Sequence, residues 1–211
     1  MPKIVPIVEG DGEVTAVPAL LRKLLAAVMR YDIQIAQPKN AHGRGNLTKE
    51  GGLEKFIKYA CKEPDCGAIF VLLDAENECA LDIAQDFSDR AMALGLPFPV
   101  VIVVANHMYE AWFLASIASI AGSLDLPEEL PPIQDPEAIG NPKAWLNRQF
   151  PVGRAYKETQ DQEAMTHLLN VDMATCSRSF RRLRHSIDQA IEAIDAKAST
   201  ITPVFRDPSD D

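Results

Sequence analysis

The chain has 211 residues, 47% of them hydrophobic and 24% charged, with a formal net charge of -9. That is the mix of a globular protein with one sizeable core and room for a small second lobe. The negative balance excludes a general nucleic-acid coat, which needs a strong basic excess, but it suits an acidic centre neutralised by divalent metal.

The first strong stretch is Ile4-Val5-Pro6-Ile7-Val8-Glu9-Gly10-Asp11-Gly12-Glu13. It reads as a buried strand that stops at a carboxylate, turns on two glycines and enters a helix. It is too short and too quickly acidic for a signal peptide, and no apolar run approaches the roughly 20 residues that span a bilayer. Residues 14–29 carry apolar side chains at helical spacing, with Pro18 in the tolerated first turn. Residues 32–36 alternate and suit a short strand near a sheet edge. Residues 38–45 form a glycine-bearing loop with Lys39, Asn40, His42 and Arg44, followed by a helix over about 49–61. A basic loop before a helix is placed to meet phosphate, which makes Lys39 and Arg44 candidate substrate contacts; the plainer reading is a polar connection.

Ala68-Ile69-Phe70-Val71-Leu72-Leu73 is a central buried strand, ending in Asp74 and Glu76 and feeding a helix that Gly95 terminates. A third strand, 99–105, runs into Asn106-His107-Met108-Tyr109-Glu110 and another helix. Strands alternating with helices predict an α/β fold, a mostly parallel, Rossmann-like sheet with helices on both faces. The division expected is an α/β domain over 1–121, a Pro-rich connection over 122–142, a helical C-terminal extension over 143–202 packed on the first domain, and a disordered tail over 203–211. The cysteines at 61, 66, 79 and 176 form no CxxC pair, which fits reduced thiols and a cytoplasmic protein.

In such a sheet Glu9, Glu13, Asp74, Glu76 and Glu110 converge on the carboxyl edge, where ligands bind. Clustered carboxylates repel, and hard divalent cations with oxygen ligands relieve this. Mg2+ or Mn2+ at such a cluster supports phosphodiester cleavage. Each triplet alone is weak: the first turn reads equally as solvated, and Glu110 as a helix start. No G-x-S-x-G elbow or P-loop points to a different α/β hydrolytic enzyme.

Ile7-Val8-Glu9-Gly10 with Glu13, together with Leu73-Asp74-Ala75-Glu76, resembles a Toprim domain, and the spacing of the two glutamates is closer to OLD-type nucleases than to primases. Asn106-His107-Met108-Tyr109-Glu110-Ala111-Trp112, Tyr156-Lys157-Glu158-Thr159 and Ser179-Phe180 are similar to a small uncharacterised Toprim-like family encoded beside AAA-type ATPases in defence cassettes. The Toprim motifs cover about 4–110, and the second resemblance nearly the whole chain. The resemblance implies a Mg2+-dependent nuclease or nuclease subunit acting on DNA or RNA, with an AAA-type ATPase as partner and oligomer state open. The alternative it implies is a non-catalytic interaction partner of that ATPase. By the same resemblance Glu9 is a metal ligand or general acid/base, Asp74 and Glu76 are ligands, and Glu13 and Glu110 complete a second metal position. Glu76 stands where that family has aspartate, which moves the carboxylate by one methylene. Lys157 is the first candidate for a catalytic lysine, with Lys143 or Arg44 as alternatives.

Overall fold

A computed structural model of the chain describes residues 1–203. Its strands are β1 (Lys3–Val8), β2 (Gln34–Ile35), β3 (Lys39–Asn40), β4 (Cys66–Asp74), β5 (Val100–Ala105) and β6 (Ile201–Thr202). They form one sheet of order β2-β1-β4-β5-β6, with β3 also on β1, and every pairing is parallel. Ile7 pairs with Val71 on one side and Lys39 on the other, so β2 and β3 share the outer edge of β1. Pro38, which has no amide to donate, lies between the two.

The helices are α1 (Glu13–Ala27), α2 (Gly45–Thr48), α3 (Gly52–Ala60), α4 (Ala80–Met92), α5 (Glu110–Ala115), α6 (Ile117–Ile120), α7 (Pro142–Asn147), α8 (Glu158–Leu168) and α9 (Arg178–Ala196). Alternate residues of each central strand face opposite layers. Phe70 and Leu72 pack with Leu20, Trp112 and Phe180, while Ile69, Val71 and Leu73 pack with Ile57 and Phe87. The sheet is therefore covered on both faces, which is why β4 and β5 read as continuous apolar runs rather than alternating ones.

The predicted helix over 49–61 starts later than expected, as α3 from Gly52 to Ala60, and a separate turn of helix precedes it. Gly51 has φ +70, and a Cβ on Gly52 would overlap the carbonyl oxygen of Asn46. The chain therefore makes α2, turns, and restarts as α3. The C-terminal region departs from expectation in one respect: beyond its helices it supplies an edge strand, with Val100 paired to Ile201. Leu146, Met165, Phe180 and Ile187 join Ile4, Leu20 and Trp112 in one apolar cluster, so residues 143–202 share the core of residues 1–121. The buried Trp112 indole donates to Ser179 Oγ at 2.9 Å across that boundary. The Pro-rich connection packs Leu126 and Leu130 against the same core. Of the tail expected over 203–211, everything from 204 onward lies outside the described residues. Cys61, Cys66, Cys79 and Cys176 are free thiols. Among the described residues no helix is long and apolar enough to cross a membrane.

Candidate functional site

The chain leaves β1 for α1 on one face and leaves β4 for α4 on the other. A crevice opens between adjacent strands whose connections part in this way, at their carboxyl ends. Glu9 follows β1 and Asp74 ends β4, so both stand at its rim. The Glu9 side chain reaches the end of β4: the Asp74 backbone amide donates to Glu9 Oε2 at 3.5 Å. Asp74 Oδ1 in turn accepts from the Tyr109 amide at 2.8 Å, which ties the end of β4 to the turn before α5.

Glu13, in the first turn of α1, is 6% exposed. Its Oε2 accepts from the amides of Glu9 (2.7 Å) and Gly10 (3.0 Å), so it fixes the turn that presents Glu9. Glu110 opens α5 and is fully buried. Its Oε1 accepts from Tyr156 Oη at 2.7 Å and from Gln162 Nε2 at 3.4 Å, while its Oε2 has no hydrogen-bond partner and faces Lys143 Nζ at 3.8 Å. Lys143 also pairs with Glu158 Oε1 at 2.6 Å.

The electrostatics follow from burial. Loss of solvent pushes Glu13 up to about 8, and the neighbouring Glu9 and Glu110 add to the effect. Asp74 is raised well above the usual carboxylate range by burial, then by Glu13 and Glu110. Burial also raises Glu9, with Glu76 adding to it and the Asp74 amide opposing it. Glu110 is raised by burial, against the pull of Lys143. Burial disfavours the Lys143 ammonium, but Glu110, Glu158 and Asp74 outweigh it and raise its pKa. The pocket therefore holds more carboxyl groups than its cation neutralises.

Glu9, Glu13, Asp74 and Glu110 are thus brought together. Glu76 stands at the mouth, half exposed, with φ 51 and its carboxylate 3.3 Å from Arg44 Nη1. The left-handed turn there is locked by the Glu76 amide donating to the His107 carbonyl at 2.7 Å, and by His107 Nδ1 bonding the Glu76 carbonyl at 2.9 Å. Arg44 also holds Glu78 at 2.7 Å, and its buried Nε and Nη2 have no partner.

Two of the candidate residues lie apart from this cluster. Lys157 is exposed at the start of α8, where its amide donates to Asp161, and among the described residues its ammonium pairs with no site carboxylate. Lys143 occupies that place instead, because α7 packs beside α5. Lys39 is also absent from the pocket: its ammonium pairs with Glu63, which it shares with Lys3 at the start of β1, and lies over the Tyr59 ring. Tyr156, Gln162 and Glu158 received no site role from the sequence. They arrive with α8, which docks on α1 where Gly12 leaves room: a Cβ there would overlap Gln162 Oε1 and stand 2.9 Å from the Glu158 Cβ. The only trace of this in the sequence was the Tyr156-Lys157-Glu158-Thr159 segment itself.

The donor set is all carboxylate oxygen, the chemistry of a hard divalent cation such as Mg2+ or Mn2+. The orphaned Glu110 Oε2 and the excess of carboxyl over ammonium groups fit such an ion. Among the described residues no three His, Cys, Asp or Glu side chains already form a coordination shell, so binding would require the side chains to reorient. No curated protein and no solved structure matches the chain. A family model described as "Domain of unknown function (DUF4276)" matches residues 8–188, nearly the whole of the described core, and the chain belongs to that family.

Proposed function

We propose that the chain is a Toprim-like, Mg2+- or Mn2+-dependent nuclease, or the nuclease subunit of an assembly, acting on phosphodiester bonds of DNA or RNA. The observation that carries this reading is the gathering of Glu9, Asp74 and the buried Glu110 close enough to interact electrostatically at the carboxyl ends of β1 and β4. Glu9, Asp74 and Glu110 would hold the cation, which when bound lowers the charge barrier to attack on a phosphate and the pKa of the attacking water. Glu13 positions Glu9 through the turn amides. Glu9, half-buried with its pKa raised by burial, is the candidate general acid/base. Lys143 holds positive charge against the cluster, and Arg44 holds Glu76 and Glu78 at its mouth.

The experiment is cleavage of plasmid and single-stranded substrates with Mg2+ or Mn2+, comparing the wild type with Glu9→Ala and Asp74→Ala. Loss of cleavage in both variants supports the reading, and equal activity in all three proteins refutes it. A second reading is a non-catalytic partner of an AAA-type ATPase in a defence cassette. It is favoured by the engagement of Glu76 and Glu78 with Arg44 rather than with the pocket. Co-purification with such an ATPase, with no heat of Mn2+ binding, would select it.

A further inference from the structure

The sequence contains one basic patch, Arg178, Arg181, Arg182, Arg184 and His185. The structure divides it. Arg181 Nη1 donates to the carbonyls of Thr175 and Cys176 and closes the turn before α9. Arg184 pairs with Asp172 at 3.2 Å. Arg178 and Arg182, one helical turn apart, instead line a groove of about 340 Å3 between α9, α4 and the end of β5, and both are exposed. Among the described residues neither has an ion-pair partner.

This groove lies one strand along the sheet from the carboxylate crevice. Asn106, one residue past β5, lines it, and Ala105 pairs with Asp74 in the sheet. Glu78 and Cys79 line it too, and they also line a second groove, of about 380 Å3, that contains Arg44. The two grooves therefore adjoin at the start of α4, with Arg44 in one and Arg178 and Arg182 in the other. Glu78 and Glu137, the acids of the Arg178 and Arg182 groove, are already engaged, whereas the neighbouring groove also carries exposed Asp82 and the Arg90-paired Asp86. Glu78 is held by Arg44. Glu137 accepts from Ser177 Oγ at 2.7 Å and from the Ser179 amide at 2.6 Å. Of the charged side chains that line the 340 Å3 groove, the two without a partner among the described residues are Arg178 and Arg182.

We infer that Arg178 and Arg182 form a subsite for the phosphates of a single-stranded nucleic acid that flank the bond presented to the Glu9 and Asp74 crevice. This rests on the nuclease reading for what happens at the crevice, but the binding it describes is measurable without cleavage. Guanidinium groups match phosphate in geometry and charge, and a pair at one-turn spacing reaches successive phosphates along a strand.

The test is fluorescence anisotropy of labelled single-stranded DNA and RNA oligonucleotides with the full chain, Ca2+ replacing Mg2+ to prevent turnover. The double variant Arg178→Ala/Arg182→Ala is compared with wild type and with Arg181→Ala/Arg184→Ala, which removes the same charge from the same helix. The expected result is a loss of at least about tenfold in affinity for the first variant only, with a salt dependence shallower by about two released counterions. Arg178→Lys/Arg182→Lys should recover part of the affinity. Equal losses in both double variants would reduce the effect to net charge and overturn the subsite, as would unchanged affinity or no binding by the wild type. If Glu9→Ala leaves cleavage intact while the arginine effect stands, the nuclease assignment fails and the subsite survives. If the arginine variant binds normally while Glu9→Ala is inactive, the reverse holds. DNA and RNA arms report which backbone is preferred.

Discussion

Lys143 Nζ lies 3.8 Å from the buried, otherwise unpartnered Oε2 of Glu110, and this pair joins the C-terminal third of the chain to the carboxyl edge of the sheet. Removing the ammonium leaves a buried carboxylate uncompensated. Lys143→Ala is expected to lower stability by roughly 1–3 kcal/mol at neutral pH and to raise the Glu110 pKa further. Nuclease activity should fall more than tenfold. Lys157→Ala should change neither property by much. Denaturant unfolding and cleavage assays on the two variants check this, and a larger effect at Lys157 would reverse the assignment.

Glu13 makes the metal-free protein sensitive to alkali. Its folded pKa of about 8 lies above its unfolded value near 4.5, so the folded state binds the extra proton between those limits. The stabilising contribution is complete below about pH 4.5 and is lost as pH rises through about 8. The melting temperature in EDTA is therefore expected to fall between pH 5 and 9, by an amount on the order of a few kcal/mol in stability. Glu13→Gln, neutral at every pH, should flatten the profile. Scanning calorimetry across that range is the measurement.

Divalent cation should act in the opposite sense. A cation bound to carboxyl groups whose pKa values are raised competes with their protons and releases them. Mg2+ or Mn2+ is expected to raise the melting temperature more at pH 8 than at pH 6, with proton release seen as buffer-dependent heats in titration calorimetry. Glu110→Gln should abolish most of the shift. A cation effect independent of both pH and Glu110 would place the ion elsewhere.

Gly12 is the narrow point between α1 and α8. Gly12→Ala would drive its methyl into Gln162 and Glu158, and α8 must move to relieve it. A stability loss of roughly 1–3 kcal/mol is expected, with weaker metal response because Gln162 and Tyr156 move away from Glu110. Gly10→Ala, where nothing lies within 4 Å of the added carbon, should be mild by comparison. Thermal melts of the two variants, with and without Mn2+, distinguish them.

Tyr156 supplies the short hydrogen bond to Glu110 Oε1. Tyr156→Phe leaves that oxygen with only the 3.4 Å amide of Gln162. The expected cost is about 1–3 kcal/mol, with a higher pH midpoint for Glu110 titration. Infrared detection of the protonated carboxyl across pH would show the displacement.

The local content of the chain determined the central strands, because β4 and β5 are apolar on both faces and announce burial by composition alone. It also determined where Glu9 and Asp74 sit along the chain, each placed where an apolar run stops. The short strands β3 and β6 were not legible, because two residues each carry no periodicity and are strands only through their neighbours. The hydrogen-bond donors of the pocket were not legible either, and Lys143 stood only as an alternative to Lys157, because Lys143, Tyr156 and Gln162 reach Glu110 only after α7 and α8 fold back onto α1 and α5. Local composition decides which segments must be buried, whereas the partner of a buried charge depends on which distant helix closes over it, and that only the tertiary packing decides.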